Sequence, residues 1–82
     1  MPHFEFIWDE EPGGNIDKCA QHGLTQDDVE YVFARPAKKK TSRSSGRPLW
    51  EARLSDGRRI VVIFEWIDDV TVYPITAFTP EE

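Results

Sequence analysis

The apolar residues of this chain change their period part-way along it. Val29, Val32 and Phe33 fall three and four apart, the spacing of one helix face. From Arg47 onward the pattern becomes that of strands, short segments whose alternate positions share a face. Helical signals therefore come early and strand signals late. That order points to an antiparallel sheet with its helices gathered on one side rather than to alternating βαβ units.

The elements can be placed more closely. Phe4, Phe6 and Trp8 alternate with other residues, which predicts a strand carrying three aromatics on one face. A first helix is expected from Asn15 to Gln21, with Asn15 as N-cap and Gly23 closing it in the left-handed conformation. Thr25 is expected to cap a second helix, Asp27 and Asp28 lying in its first turn and Pro36 stopping it. Residues 38–46 (KKKTSRSSG) hold no apolar side chain and read as a flexible basic loop. Strands are expected over 49–54, 59–66 and 70–78, with Ser55-Asp56-Gly57 and Asp68-Asp69 as turns. Ile60, Val62, Phe64 and Trp66 would point one way and Val61 and Ile63 the other, so the central strand is expected to be covered on both sides. Pro74 marks an edge or a bulge. The order β-α-α-β-β-β predicts an α+β domain, two helices packed on one face of a four-stranded antiparallel sheet.

With 82 residues, 39% of them apolar and ten aromatic, the chain is expected to form one domain over 1–82 with a real but thin core. Cys19 is the single cysteine, which excludes an intrachain disulfide and fits a reducing compartment. It reads either as a small buried hydrophobe or as a nucleophile with His22 three residues on. Met1 to Glu5 has neither the basic region nor the apolar run of a signal peptide, and no stretch approaches the roughly 20 apolar residues of a membrane span. A cytoplasmic location is expected by default. The two histidines and one cysteine do not compose a zinc site, and no metal or cofactor is expected.

The net charge of −5 conceals a strong segregation. Between Arg35 and Arg59 nine cations face only Glu51 and Asp56, a balance of +7. The remainder sets Lys18 against thirteen acids, a balance of −12. Such polarity gives a basic surface even on an acidic protein, as nucleic-acid binding would need.

Several short runs carry a family resemblance. Phe6-x-Trp8-Asp9, Asn15 leading to His22-Gly23-Leu24, and Asp28-Val29 with Val32-Phe33 resemble the N-terminal half of BrnT-type toxins of bacterial toxin–antitoxin pairs. Asp56-Gly57-Arg58, the apolar run to Phe64 and Val72 to Ala77 resemble their C-terminal meander. The resemblance spans roughly residues 4–78. It implies a RelE-like fold and a metal-independent ribonuclease masked by a cognate ribbon-helix-helix antitoxin. Three positions depart from the family pattern. Gln21 stands where a lysine usually precedes the His-Gly, Ala77-Phe78 where an arginine usually ends the last strand, and Pro80-Glu81-Glu82 where a basic helix often follows. Each departure removes a cation.

Metal-free RNA cleavage needs a base for the 2′-hydroxyl, cations for the developing phosphorane and an acid for the leaving oxygen. His22 is the candidate acid or base, with Lys18 one helical turn before it; alternatively the imidazole serves the exposed carbonyls of its helix end. Arg53 and Arg58 are candidate phosphate-stabilising groups, arginine's planar fork matching phosphate. Lys38, Lys39, Lys40, Arg43, Arg47 and Arg59 are candidate RNA-binding residues, with a solvated strand face and a Glu51–Arg53 cross-strand pair as the plain alternative. Trp50, Trp66 and Tyr73 could stack bases, but in so small a domain Trp66 is expected to pack in the core, Trp50 being open to either use. Two functions follow: a ribonuclease toxin, or a non-catalytic module on the same scaffold that binds RNA or a protein partner.

Overall fold

The computed structural model describes residues 4–80. In chain order the elements are β1 (Glu5–Phe6), α1 (Asn15–Ala20), α2 (Gln26–Phe33), β2 (Lys38–Thr41), β3 (Pro48–Arg53), β4 (Arg59–Trp66) and β5 (Thr71–Phe78). They form an α+β domain in which one five-stranded sheet runs β1-β5-β4-β3-β2. β2 to β5 pair antiparallel with their neighbours, while β1 lies parallel to β5. The sheet is therefore mixed and has one strand more than the four antiparallel ones expected. Among the described residues no helix is long and apolar enough to cross a membrane.

The extra strand comes from the expected loop. Lys38 to Thr41 is not a loop but an edge strand whose four residues are all exposed. An edge strand with neither face buried needs no apolar alternation, and lysine is a common edge residue, so the hydropathy pattern carried no sign of it. Only Ser42 to Arg47 remains as the connection to β3.

Both hairpins flanking β3 close in the same way. Ser42 donates to the Arg47 carbonyl (2.8 Å) and accepts from Gly46 N–H (2.8 Å); Leu54 donates to Arg58 (2.8 Å) and accepts from Gly57 (2.9 Å). In each, a glycine and the next residue oppose one residue across the ladder, with φ of +71° at Gly46 and +93° at Gly57. This is the glycine bulge of short hairpins, in which any Cβ would be strained. A second irregularity, between Ile63 and Phe64 of β4, leaves Ile75 of β5 without an opposite residue beside Pro74. Of the edge or bulge expected at Pro74, the register shift beside it is the latter.

α2 begins as expected: Thr25 accepts from Asp28 N–H, and Asp28 accepts in return from Thr25 N–H, a complete capping box. α1 begins differently. Gly14 occupies the N-cap without a side-chain bond, and Asn15 is the first helical residue, buried, with its amide spent elsewhere. Past Ala20, Leu24 N–H reaches back to Cys19 and Gly23 N–H to Ala20, so the helix closes at Gly23 as predicted.

Both helices pack on one face of the sheet. Cys19, Leu24, Val29, Val32 and Phe33 meet Trp50, Ile60, Val62, Phe64, Val72 and Ala77 in one core. Cys19 is thus a buried hydrophobe; burial pushes its thiol pKa up, away from nucleophilic use. Trp50 belongs to the core, stacked 4.7 Å from Phe33, while Trp66 caps the cluster 5.2 Å from Phe64 and keeps one edge in solvent. Among the described residues the opposite, outer face carries no helix, so β4 is not sandwiched as its alternation suggested. Val61 is buried there only by its neighbours, in a cross-strand row with Lys38, Glu51 and Phe78.

Candidate nucleic-acid interface

The ladder register sorts the cations by face, since cross-strand partners point the same way. Lys38 pairs with Glu51, Lys40 with Leu49 and Arg53 with Arg59, and these rows lie on the outer face. Lys39 pairs with Trp50, which is in the core, so it turns to the helix side, where its ammonium sits 4.8 Å above the Trp50 ring. Arg35 likewise lies over Tyr31, 4.4 Å from its centroid. Arg43 and Arg47 belong to the β2–β3 connection and Arg58 to the β3–β4 turn, at opposite ends of β3. Six residues of strand separate those ends by roughly 20 Å.

Of the expected catalytic set, Lys18 and His22 stand exposed along α1 and just past it. The imidazole lies 6.2 Å from the ring of Phe78, at the end of β5. Arg58 is near this end too, held by Asp56 (Nε to Oδ2, 2.7 Å) and 3.9 Å from Asp28 of α2. With Arg59 and Asp56 it lines an open groove against Thr79 and Pro80. Arg53, by contrast, sits on the outer face and donates to the Gly57 carbonyl at 2.8 Å. The expected set therefore divides between the helix side and the outer face.

On the outer face the organising group is Glu51, which the sequence offered only as a cross-strand partner of Arg53. Its actual partners lie on the strands to either side. Arg59 holds Oε2 through Nε (2.8 Å) and Nη2, and the Lys40 ammonium reaches Oε1 at 3.3 Å. Glu51 is only 8% exposed, in a position where a lone carboxylate would be costly. The Arg59 hydrogen bonds, helped by Lys40, hold its pKa below the ordinary 4.5 in spite of burial. Glu51, Lys38, Arg53 and Arg59 line an open groove of about 450 Å³ with Pro36, Ala37 and Ala52. Three cations thus ring one ionised carboxylate, a net positive cleft with room for a phosphodiester.

The depressed pKa has a consequence for acid stability. The contribution of Glu51 is fully present above pH 4.5 and is lost as pH falls through its lower folded-state value. Glu51→Gln should therefore flatten the acid limb of stability relative to the parent. Urea unfolding followed between neutral pH and pH 2 checks this; parallel curves for the two proteins would mean that the ion pairs contribute nothing.

Among the described residues no three His, Cys, Asp or Glu side chains come together so as to hold a metal ion. Comparison of the chain with protein-family models, with curated proteins and with solved structures finds no match.

Proposed function

We propose that this protein is a toxin-like, metal-independent ribonuclease of the RelE/BrnT kind that engages RNA on the outer face of its sheet. The observation that carries the reading is the groove in which Lys38, Arg53 and Arg59 surround the ionised Glu51. The chain order, with two helices on one face of an antiparallel meander, agrees with the BrnT resemblance. The reading also brings a ribbon-helix-helix antitoxin as the cognate partner and the cytoplasm as the place of action.

The chemistry follows from the groups present. Glu51 is a carboxylate at neutral pH and accepts the proton of a 2′-hydroxyl. The freed 2′-oxygen attacks phosphorus, the bond to the 5′-oxygen breaks, and that oxygen takes up a proton from the groove or from water. Arg53 and Arg59, whose N–H groups already hold the Gly57 carbonyl and Glu51, stabilise the phosphorane through their charge, and Lys38 adds a further positive charge. Glu51 thereby takes the base role for which the sequence offered His22, which stands exposed just past α1 with Lys18 on the helix before it. Arg43 and Arg47 contact the RNA backbone further along.

A second reading rests on the same carboxylate. Because Arg59 and Lys40 already satisfy Glu51 and lower its basicity, the face also suits a module that binds RNA without cutting it. Incubating the pure protein with structured RNA, with and without chelator, tests the catalytic reading. Cleavage should persist with chelator and fall about a hundredfold in Glu51→Gln, the scale of a lost general base. RNA left intact at high protein concentration would sink catalysis. Binding that weakens steeply with salt would then favour the module.

A further inference from the structure

β2 is one edge of the sheet, and its hydrogen-bonding polarity can be read from the hairpin that follows it. Ser42 is a bonded position, since its N–H and C=O both engage the β3 side. Bonded and non-bonded pairs alternate along an antiparallel ladder. Lys40 and Lys38 are therefore bonded to β3 as well, whereas the N–H and C=O groups of Lys39 and Thr41 point away from the sheet. Pro48, which has no N–H, faces Thr41 at a non-bonded position, as this phase requires. The edge thus presents two outward donors and two outward acceptors on a strand that is exposed throughout.

Three consecutive lysines decide what can pair there. A second copy of β2 would bring lysine against lysine, which disfavours self-association. A strand with acidic residues at alternate positions would instead set carboxylates on the outer face beside Lys38 and beside Lys40, whose exposed ammonium it would share with Glu51. We infer that β2 is a strand-addition site for an extended acidic segment of a partner protein, joined by the backbone groups of Lys39 and Thr41 and selected by Lys38 and Lys40. Main-chain bonds supply the attachment and the side-chain rows supply the choice of partner. Lys38 also lines the groove around Glu51, so the added strand would neutralise one wall of that groove and compete with phosphate. This last consequence rests on the proposed ribonuclease reading; the docking itself does not.

The test uses the full chain and a labelled synthetic peptide of alternating glutamate and valine, read by fluorescence anisotropy and by amide hydrogen exchange. Binding should slow exchange at Lys39 and Thr41 about tenfold or more, while the amides of Lys38 and Lys40, already bonded to β3, change little. Thr41→Pro removes one outward donor without touching the β3 ladder and should weaken binding about tenfold. Lys38→Glu with Lys40→Glu should abolish it. A peptide of the same composition interrupted by prolines should fail to bind. Equal binding of the interrupted peptide, or unchanged exchange at Lys39 and Thr41, would overturn strand addition in favour of mere charge attraction. Concentration-dependent protection of those amides without peptide would overturn it in favour of self-pairing. No readout involves RNA, so strand addition and ribonuclease activity can fail separately.

Discussion

Replacing Phe64 by alanine should cost about 3–5 kcal/mol and lower the urea midpoint of unfolding markedly. Phe64 is fully buried in the middle of β4 and touches three other aromatics. Its ring centroid lies 5.0 Å from that of Phe33 and 5.3 Å from that of Trp50, both near edge-on, and 5.2 Å from that of Trp66. Alanine would remove the ring on which α2, β3 and the end of β4 all rest, and backbone held in mid-sheet cannot collapse to refill the space. A domain of this size has a total stability of roughly 4–12 kcal/mol, so the loss is a large share of the whole. Urea titration followed by tryptophan fluorescence measures it directly, since Trp50 and Trp66 flank the site. A loss below about 1.5 kcal/mol would mean that the aromatic cluster is not the centre of the core.

The second large effect is expected at Asn15, which a glance at composition would pass over. Its amide is only 1% exposed and makes three bonds to backbone. Oδ1 accepts from Asp9 N–H at 2.7 Å, and Nδ2 donates to the carbonyls of Ile7 and Pro74, each at 2.8 Å. One side chain thereby fixes the segment after β1, the start of α1 and the bulged part of β5 together. Asn15→Leu would leave three polar backbone groups without this partner, at a cost of about 3 kcal/mol. For a domain this small that corresponds to a drop in Tm of about 15 °C. Asn15→Asp keeps the acceptor but aims a charge at two carbonyls, and should cost nearly as much. Thermal unfolding by circular dichroism checks both; if the Asn15→Asp protein melted with the parent, the two donated bonds would carry nothing.

The parts of this fold that could be read from sequence are those where one residue type answers one local physical demand. Thr25 with Asp28 announces a helix start, Gly23 a helix end and Gly57 a tight hairpin, and the structure has all three. The spacing of Val29, Val32 and Phe33, and of Ile60, Val62 and Phe64, gave the core faces because burial imposes a period. β2 escaped because an edge strand buries nothing and so imposes none. Asn15 escaped in a different way: asparagine before a helix suggests a cap, and only the approach of Pro74, far along the chain, makes a buried bridge the better use. The candidate interface was legible as charge and not as geometry. The cationic segment could be counted, but its division between two faces depends on ladder register, and the central place of Glu51 depends on Lys40 and Arg59 arriving from the strands on either side.

The parallel ladder between β1 and β5 is two residues long and joins positions 5 and 71, which are 66 apart in the chain. The meander from β2 to β5 assembles through short turns, each closing a small loop at little entropic expense, whereas β1 must wait for nearly the whole polypeptide to be in place. Docking of the amino-terminal segment is accordingly expected late in folding. The same segment is expected to open before the meander does, which amide exchange at Glu5 and Ile7 checks, and its release would bare the Phe4 and Phe6 rings and the outer edge of β5.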